Sequence, residues 1–184
     1  SARSLVMLCR EDAASAHWYV YHPDGTSGDL LYMEGYAVEA TDGTISNVTA
    51  NAFDVSGLTA GTYRYLVIAE SAGMFALGKH TGNAATNGPF DFAGLRTNMF
   101  FIKSLTGGGA SWYVYDQERD TYNVAVARIV FDNATTEATT GAPAMDLLSN
   151  GIKYRNTDAG SNGSGVVYCY AAFAEAPFKT ARAR

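Results

Sequence analysis

Apolar residues in this chain occur in short runs separated by turn residues, a pattern typical of β-strands. Residues 5–9 form one such run, which we predict to be a buried strand. In the next run, alternation places Trp18 and Val20 on one face of a strand and Tyr19 and Tyr21 on the other. Pairs such as Asp-Gly and Asn-Gly separate the runs. Long helical periodicity is absent, and only residues 142–148 have the pattern of a short helical turn.

Four blocks of sequence recur in the same order, which indicates an internal repeat. The Trp-Tyr-Val-Tyr block at 18–21 returns at 112–115, an offset of 94 (112 − 18), and the same offset aligns residues 5–8 with 99–102. Residues 53–57 resemble 145–151, and residues 63–70 match 168–175. We therefore predict a first β-repeat at 3–70, a connector at 71–97, a second β-repeat at 98–178 and a C-terminal tail at 179–184. The predicted fold is an all-β sandwich, of jelly-roll or lectin-like type, built from two tandem copies related by a pseudo-two-fold axis.

Composition narrows the classes of function. Apolar residues make up 47% and charged residues 17% of the chain, which predicts a folded domain with a substantial core. The net charge of −5, without a basic cluster, disfavours a nucleic-acid partner. Apolar runs are too short to insert into a membrane. The first four residues contain no apolar signal core, and we expect them to be a start exposed by removal of an initiator Met.

Two cysteines, Cys9 and Cys169, define neither a disulfide framework nor a zinc site. They would pair only if the first and last strands lay side by side, and buried free thiols are the favoured alternative. The three histidines are scattered, with no partner at metal-ligand spacing. We therefore expect no metal and no cofactor.

The chain resembles repeated modules in structural and tail-fibre proteins of bacteriophages, especially marine ones. The resemblance covers most of the chain and is most specific at its end. Its marks are residues 78–83, 87–90 and 94–96, the apolar strand to Lys103, residues 112–116 with Arg119, residues 146–153, Ser164-Gly165 and residues 168–178. The first copy is more divergent and lacks the Asn-Gly before Leu58, while His80 and Ala84 stand where the family more often has Tyr and Gly. The resemblance implies a virion structural protein and implies no catalytic residues.

Aromatic residues of the repeated block are the candidate ligand or interface residues. They are Trp18, Tyr19, Tyr21, Trp112, Tyr113 and Tyr115. Exposed aromatic rings suit subunit interfaces and sugar rings, because they combine a flat apolar face with a polar edge. Burial on both faces of the strands is the alternative, and the sequence leaves packing, interface and glycan contact open.

Acidic residues near turns are interpreted as structural. We expect Arg119 to pair with Asp116 and fix the loop after a strand, rather than Asp116 to act with Glu118 or Asp120 in a glycosidase. Glu70 and Glu175 recur at the ends of matching strands, which favours a charge pair or a bond to a backbone N–H. Asp146, Asn150 and Gly151 belong to a structural turn in the segment that resembles the phage modules.

Together these features predict a non-enzymatic virion protein on the particle surface. It would be a capsid decoration or cement protein, or a tail-fibre component, that binds other virion proteins. The alternative is a lectin-like module that recognises a host surface glycan; a polysaccharide-degrading enzyme on the same fold is the third and weakest hypothesis. We expect a homo-oligomer, with a trimer favoured, and terminal arms at residues 1–4 and 178–184.

Overall fold

The structure, a computed structural model, describes residues 3–13, 17–26, 29–35, 39–49, 51–107, 109–132, 137–139 and 143–175, with only the backbone of residues 29 and 40–42. Every regular element in these ranges is a β-strand. The strands are β1 (Ser4–Arg10), β2 (Trp18–Tyr21), β3 (Asp29–Tyr32), β4 (Ala40–Ser46), β5 (Asp54–Ser56), β6 (Tyr63–Ala69), β7 (Phe75–Thr81), β8 (Phe90–Phe92), β9 (Thr97–Ser104), β10 (Tyr113–Asp116), β11 (Ile129–Val130), β12 (Met145–Leu148), β13 (Gly151–Tyr154) and β14 (Val167–Ala174).

The strands form three antiparallel sheets. The first sheet has the order β5-β4-β3-β2-β1-β6, the middle sheet β11-β10-β9-β14-β7, and the third sheet β12-β13-β8. The prediction of an all-β, sandwich-like architecture is confirmed.

Alternating side chains place a core on both faces of the middle sheet. On β14, Cys169 and Ala171 face the first sheet, where they join a cluster that includes Leu5 and Val20. The intervening Tyr168, Tyr170 and Ala172 face the third sheet, where the cluster includes Met145, Leu147, Ile152 and Tyr154. The other face of the first sheet buries Val6, Leu8 and Leu30 together with Ile45 of β4. Because both faces of the middle sheet are buried, β9 and β14 are near-continuous apolar runs and do not alternate between apolar and polar residues.

The two sequence repeats have matching strand registers. Leu8 pairs with Tyr19, and adding 94 to both numbers gives Ile102 and Tyr113, which also pair. The second neighbours correspond too, since Leu8 pairs with Tyr65 and Ile102 pairs with Tyr170. Strands β3, β2, β1 and β6 are therefore neighbours in the same order as β11, β10, β9 and β14, and equivalent residues of the two groups are paired. We call these four-stranded groups the first and second units. That they arose by duplication stays a prediction, which this match of registers supports.

The predicted helical turn at 142–148 is wrong in its described part. Residues 145–148 form β12, because Met145 and Leu147 pair with Tyr154 and Ile152 of β13 and are buried against the middle sheet. Local pattern over so few residues is overridden by this pairing. Residue 142 lies outside the described residues.

Residues 71–97, predicted as a connector, contribute strands to two sheets. β7 pairs with β14 from Phe75 to Thr81, and β8 pairs with β13. The cysteines are free thiols on strands of different sheets, Cys9 on β1 and Cys169 on β14. Ser4, the last residue of the N-terminal arm predicted at 1–4, belongs to β1 and pairs with Ala69. Residues 1–2, the predicted arm at 178–184 and the tail at 179–184 lie outside the described residues.

Candidate functional site

An apolar cleft lies between the first and middle sheets. Its volume is about 390 Å³. The described residues that line it are all apolar: Leu5, Met7, Trp18, Val20, Met33, Ile68, Phe101, Trp112, Phe131, Ala171 and Phe173. Its volume is in the range of small-ligand sites, but such sites usually add a few convergent polar groups.

Equivalent residues of the two units line this cleft. Four pairs occupy matching positions: Met7 and Phe101, Trp18 and Trp112, Met33 and Phe131, Ile68 and Phe173. The match extends to the backbone, since the Met33 N–H donates to the Trp18 carbonyl (2.9 Å) and the Phe131 N–H donates to the Trp112 carbonyl (3.3 Å). The cleft therefore lies where the two units meet through the same face.

Hydrogen bonds join the first and middle sheets beside the cleft residue Trp112. Lys103 is fully buried, and its ammonium donates to the carbonyls of Gly35 and Ala110, each at 2.6 Å. Burial lowers the pKa of Lys103 to about 8. The Trp112 indole N–H donates to the Tyr32 carbonyl (2.9 Å). Because both donors belong to the second unit, and Gly35 and Tyr32 to the first, the bonds to these two carbonyls join the two units.

His22 forms another bond between the sheets. Its Nε2 lies 2.9 Å from the Tyr170 carbonyl, and its Nδ1 accepts from the Asp24 N–H at 3.2 Å. Two such contacts define a neutral imidazole with its proton on Nε2. Burial is the main cause that lowers the pKa of His22 to about 4, so the neutral form is favoured near neutral pH.

The two tryptophans differ in depth. Trp112 is 3% exposed, whereas Trp18 is 43% exposed and lies at the mouth of the cleft with Phe131. The sequence pattern predicts that Trp18 lies on the same face as Val20, and both line the cleft. Alternation alone does not predict the difference in exposure between two equivalent positions.

The four candidate tyrosines lie away from the cleft. Tyr19 and Tyr21 are half-buried on the outer face of the first sheet. Tyr115 is buried toward the third sheet, where its hydroxyl donates to the Pro143 carbonyl (2.9 Å) and burial raises its pKa. Tyr113 packs under the guanidinium of Arg128, 3.9 Å from the ring centre. Of the six aromatic candidates, the structure thus brings together Trp18 and Trp112.

Candidate carboxylates make structural contacts at strand ends. Asp116 forms an ion pair with Arg119, which also contacts Glu137 at 2.6 Å. Glu175 contacts Arg96 at 2.6 Å. Glu70 accepts a hydrogen bond from the Leu77 N–H at 2.8 Å.

The Asn150-Gly151 turn is fixed in the same way. Asp146 and Arg155 form an ion pair at 2.6 Å between β12 and the end of β13. The carbonyl of Asn150 accepts the N–H groups of residues 93 and 94. A Cβ on Gly151 would lie 1.9 Å from the Asp91 carbonyl oxygen, so this position requires glycine.

A buried polar cluster, which sequence reasoning missed, lies between the middle and third sheets. The Tyr154 hydroxyl donates to Asp91 (2.8 Å), and the His80 ring lies 4.0 Å from the Tyr154 ring, centre to centre. Burial, followed by the Asp91 charge, raises the pKa of Tyr154. His80 Nε2 lies 3.1 Å from the Ser161 carbonyl. The cluster is enclosed by rings and strands, which favours a structural role.

Within the described ranges, no group of three or more His, Cys, Asp or Glu residues is arranged to hold a metal ion. The same ranges contain no helix that could cross a membrane. Since the described lining of the cleft includes no acid, base or nucleophile, the chemistry it offers is apolar contact.

The sequence model of a family described as "Domain of unknown function (DUF7483)" matches residues 1–177. No curated protein and no solved structure matches the chain.

Proposed function

The chain belongs to the DUF7483 family, and we propose that it is a non-enzymatic structural protein on the surface of a bacteriophage particle. In this proposal it serves as a capsid decoration or cement protein, or as a tail-fibre component, and binds other virion proteins. The residues that resemble phage structural modules, above all 168–178, point to the particle. The apolar cleft supplies the binding surface.

The observation that carries the proposal is the composition of the cleft. A closed, empty cavity of that volume would cost about 9 kcal/mol at the usual rate per unit volume. The cleft instead opens to solvent past Trp18 and Phe131, each 43% exposed. An apolar side chain of a partner that enters it would remove this surface from water, which is favourable and needs no polar partner.

The carboxylates support a non-catalytic role. Glycosidases hold two carboxyl groups on either side of a bound sugar ring. Here Asp116 and Glu175 are each paired with an arginine, and Glu70 binds a backbone N–H. These contacts fix loops, as expected of structural residues.

Incorporation into particles tests the proposal. In the phage that encodes this chain, the gene would be deleted and supplied from a plasmid, and the chain would be quantified in purified particles by mass spectrometry. We expect the wild-type chain at a fixed copy number per particle. Phe131→Glu at the cleft mouth should reduce it at least about tenfold, the effect of losing ~1.4 kcal/mol of binding.

Phe92→Glu is the matched control, because Phe92 is 70% exposed on β8 of the third sheet, away from the cleft. It should be incorporated like the wild type. Absence of the wild-type chain from particles would contradict the virion role, and equal incorporation of the Phe131→Glu variant would contradict the role of the cleft.

A lectin-like module is the second candidate function. Tyr122 is 84% exposed beside a groove of about 460 Å³ that is also lined by Gln117, Asp120 and Asn123. An exposed ring next to planar polar side chains suits a sugar. Binding of purified protein to host surface glycan that Tyr122→Ala abolishes would favour this candidate.

A further inference from the structure

Strand β6 is the edge of the first sheet, whereas its equivalent in the second unit is not an edge. In the second unit, β14 pairs with β9 on one side and with β7 on the other, the latter from Phe75 to Thr81. In the first unit, β6 pairs with β1 over the full length Tyr63–Ala69, and within the described residues no strand lies on its other side. Among the described residues, no strand takes the position beside β6 that β7 takes beside β14.

The register with β1 identifies the backbone groups on the open side. The Glu70 N–H donates to the Arg3 carbonyl, and the Glu11 N–H donates to the Thr62 carbonyl. Hydrogen-bonded pairs alternate along an antiparallel ladder, so even-numbered residues of β6 bond to β1. The N–H and C=O groups of the odd-numbered residues, Tyr63, Tyr65, Val67 and Ala69, therefore point away from β1.

Most side chains of this edge strand are apolar, and the two in its centre are well exposed. Tyr65 is 68% exposed and Leu66 is 49% exposed. Arg64 is the single charged residue in the strand, and it forms an ion pair with Glu11. Long apolar edges of this kind pair with another chain unless charges, prolines or bulges block them. Seven residues with one charge and no proline do not block pairing.

We propose that β6 pairs antiparallel with β6 of a second copy of this chain, about a two-fold axis at Leu66. Leu66 is the midpoint of Tyr63–Ala69, so this register pairs all seven residues. It joins the odd-numbered residues, whose backbone groups are open, to one another. It also sets Tyr65 opposite Val67, a favourable aromatic and β-branched pair, and Arg64 opposite Ile68, so that no like charges face each other.

In the proposed dimer, the first sheets of the two copies join into one continuous sheet. This pairing of β6 strands does not depend on what fills the cleft. A strand that pairs with itself gives a two-fold, isologous contact. The expected trimer is not tested by the fold of one chain, and this edge favours a dimer in its place.

Charge substitutions at Leu66, on the proposed two-fold axis, test the dimer by analytical sedimentation. At a protein concentration of about 50 μM, a dimer with a micromolar dissociation constant is mostly formed. The wild type should sediment as a dimer. Leu66→Lys and Leu66→Glu should each sediment as folded monomers, because like charges then lie opposite each other. An equimolar mixture of the two variants should restore the dimer, which a folding defect would not do. Phe92→Lys, an exposed aromatic on the third sheet, is the control and should remain dimeric.

Cross-linking tests the register. Because the backbone groups of residue 66 bond to β1, the two copies of this residue form a non-hydrogen-bonded pair with Cα atoms about 4.5 Å apart, within disulfide range. Leu66→Cys should form a covalent dimer under mild oxidation, whereas Tyr65→Cys, which faces Val67 of the other copy, should not. A monomeric wild type, a dimer in either charge variant alone, or equal cross-linking of both cysteine variants would overturn the proposal.

Discussion

Truncation of the two cleft tryptophans gives the sharpest test of how deeply each ring is buried. Trp112 is 3% exposed, and its indole N–H is bound to the Tyr32 carbonyl across the sheets. Removal of a buried ring of this size costs about 3–5 kcal/mol. Trp18 lies at the equivalent position but is 43% exposed, so its removal creates no closed cavity. We expect Trp18→Ala to cost about 1 kcal/mol, the centre of the range for point mutants.

A third variant separates the ring from its hydrogen bond. Trp112→Phe keeps an aromatic ring but leaves the Tyr32 carbonyl without its donor, and we expect a loss of about 1–3 kcal/mol. Equilibrium unfolding in urea, followed by circular dichroism, would measure all three. With a slope of roughly 1–3 kcal/mol per molar urea, Trp112→Ala should lower the midpoint by about 1 M or more. A loss below about 1 kcal/mol for Trp112→Ala, or an equal loss for Trp18→Ala, would refute the assignment of the buried and exposed positions.

Three further predictions concern the pH dependence of stability, the lack of room for a side chain at Gly151 and the absence of polysaccharide degradation. The fold lowers the pKa of His22 from 6.5 to about 4, so the unfolded chain takes up a proton more readily than the folded protein. The free energy of unfolding should therefore be highest above pH 6.5 and fall by up to about 3 kcal/mol as the pH is lowered towards 4. Urea unfolding between pH 4 and 7 should show this slope in the wild type and a flatter one in His22→Gln; equal slopes would contradict it. Gly151→Ala should lower stability by about 1–3 kcal/mol in thermal unfolding, because its Cβ would lie 1.9 Å from the Asp91 carbonyl oxygen, and an unchanged midpoint would contradict this. Purified protein should not degrade host polysaccharide, and turnover that Asp116→Asn or Glu175→Gln abolishes would show the enzyme hypothesis to be right.

The fold class could be predicted from the sequence because alternation and turn residues act locally. The faces of Trp18 and Val20 followed from a period of two, and the repeated block placed Trp112 on the same face of its unit. The strand at 145–148 could not be predicted, because only its pairing with β13 and its burial under the middle sheet distinguish it from a helical turn.

The residues that line the cleft could be predicted only in part. Its pairs Met7 and Phe101, and Ile68 and Phe173, lie at aligned positions of the repeat, so the alignment contained that signal. The contribution of Phe131 depends on β11, which has no match in the aligned blocks. The burial of Lys103 could not be predicted either, since a lone lysine at a strand end is normally solvated. One of its carbonyl partners, Gly35, lies in a part of the chain distant in sequence.

A reconstruction of whole particles by electron cryomicroscopy would decide whether this chain is a virion protein that binds through its cleft. We expect density for the chain on the particle surface, with an apolar side chain of a neighbouring virion protein inserted in the cleft beside Trp18 and Phe131. Particles that lack the chain, or that carry it with the cleft open to solvent, would contradict the proposed function.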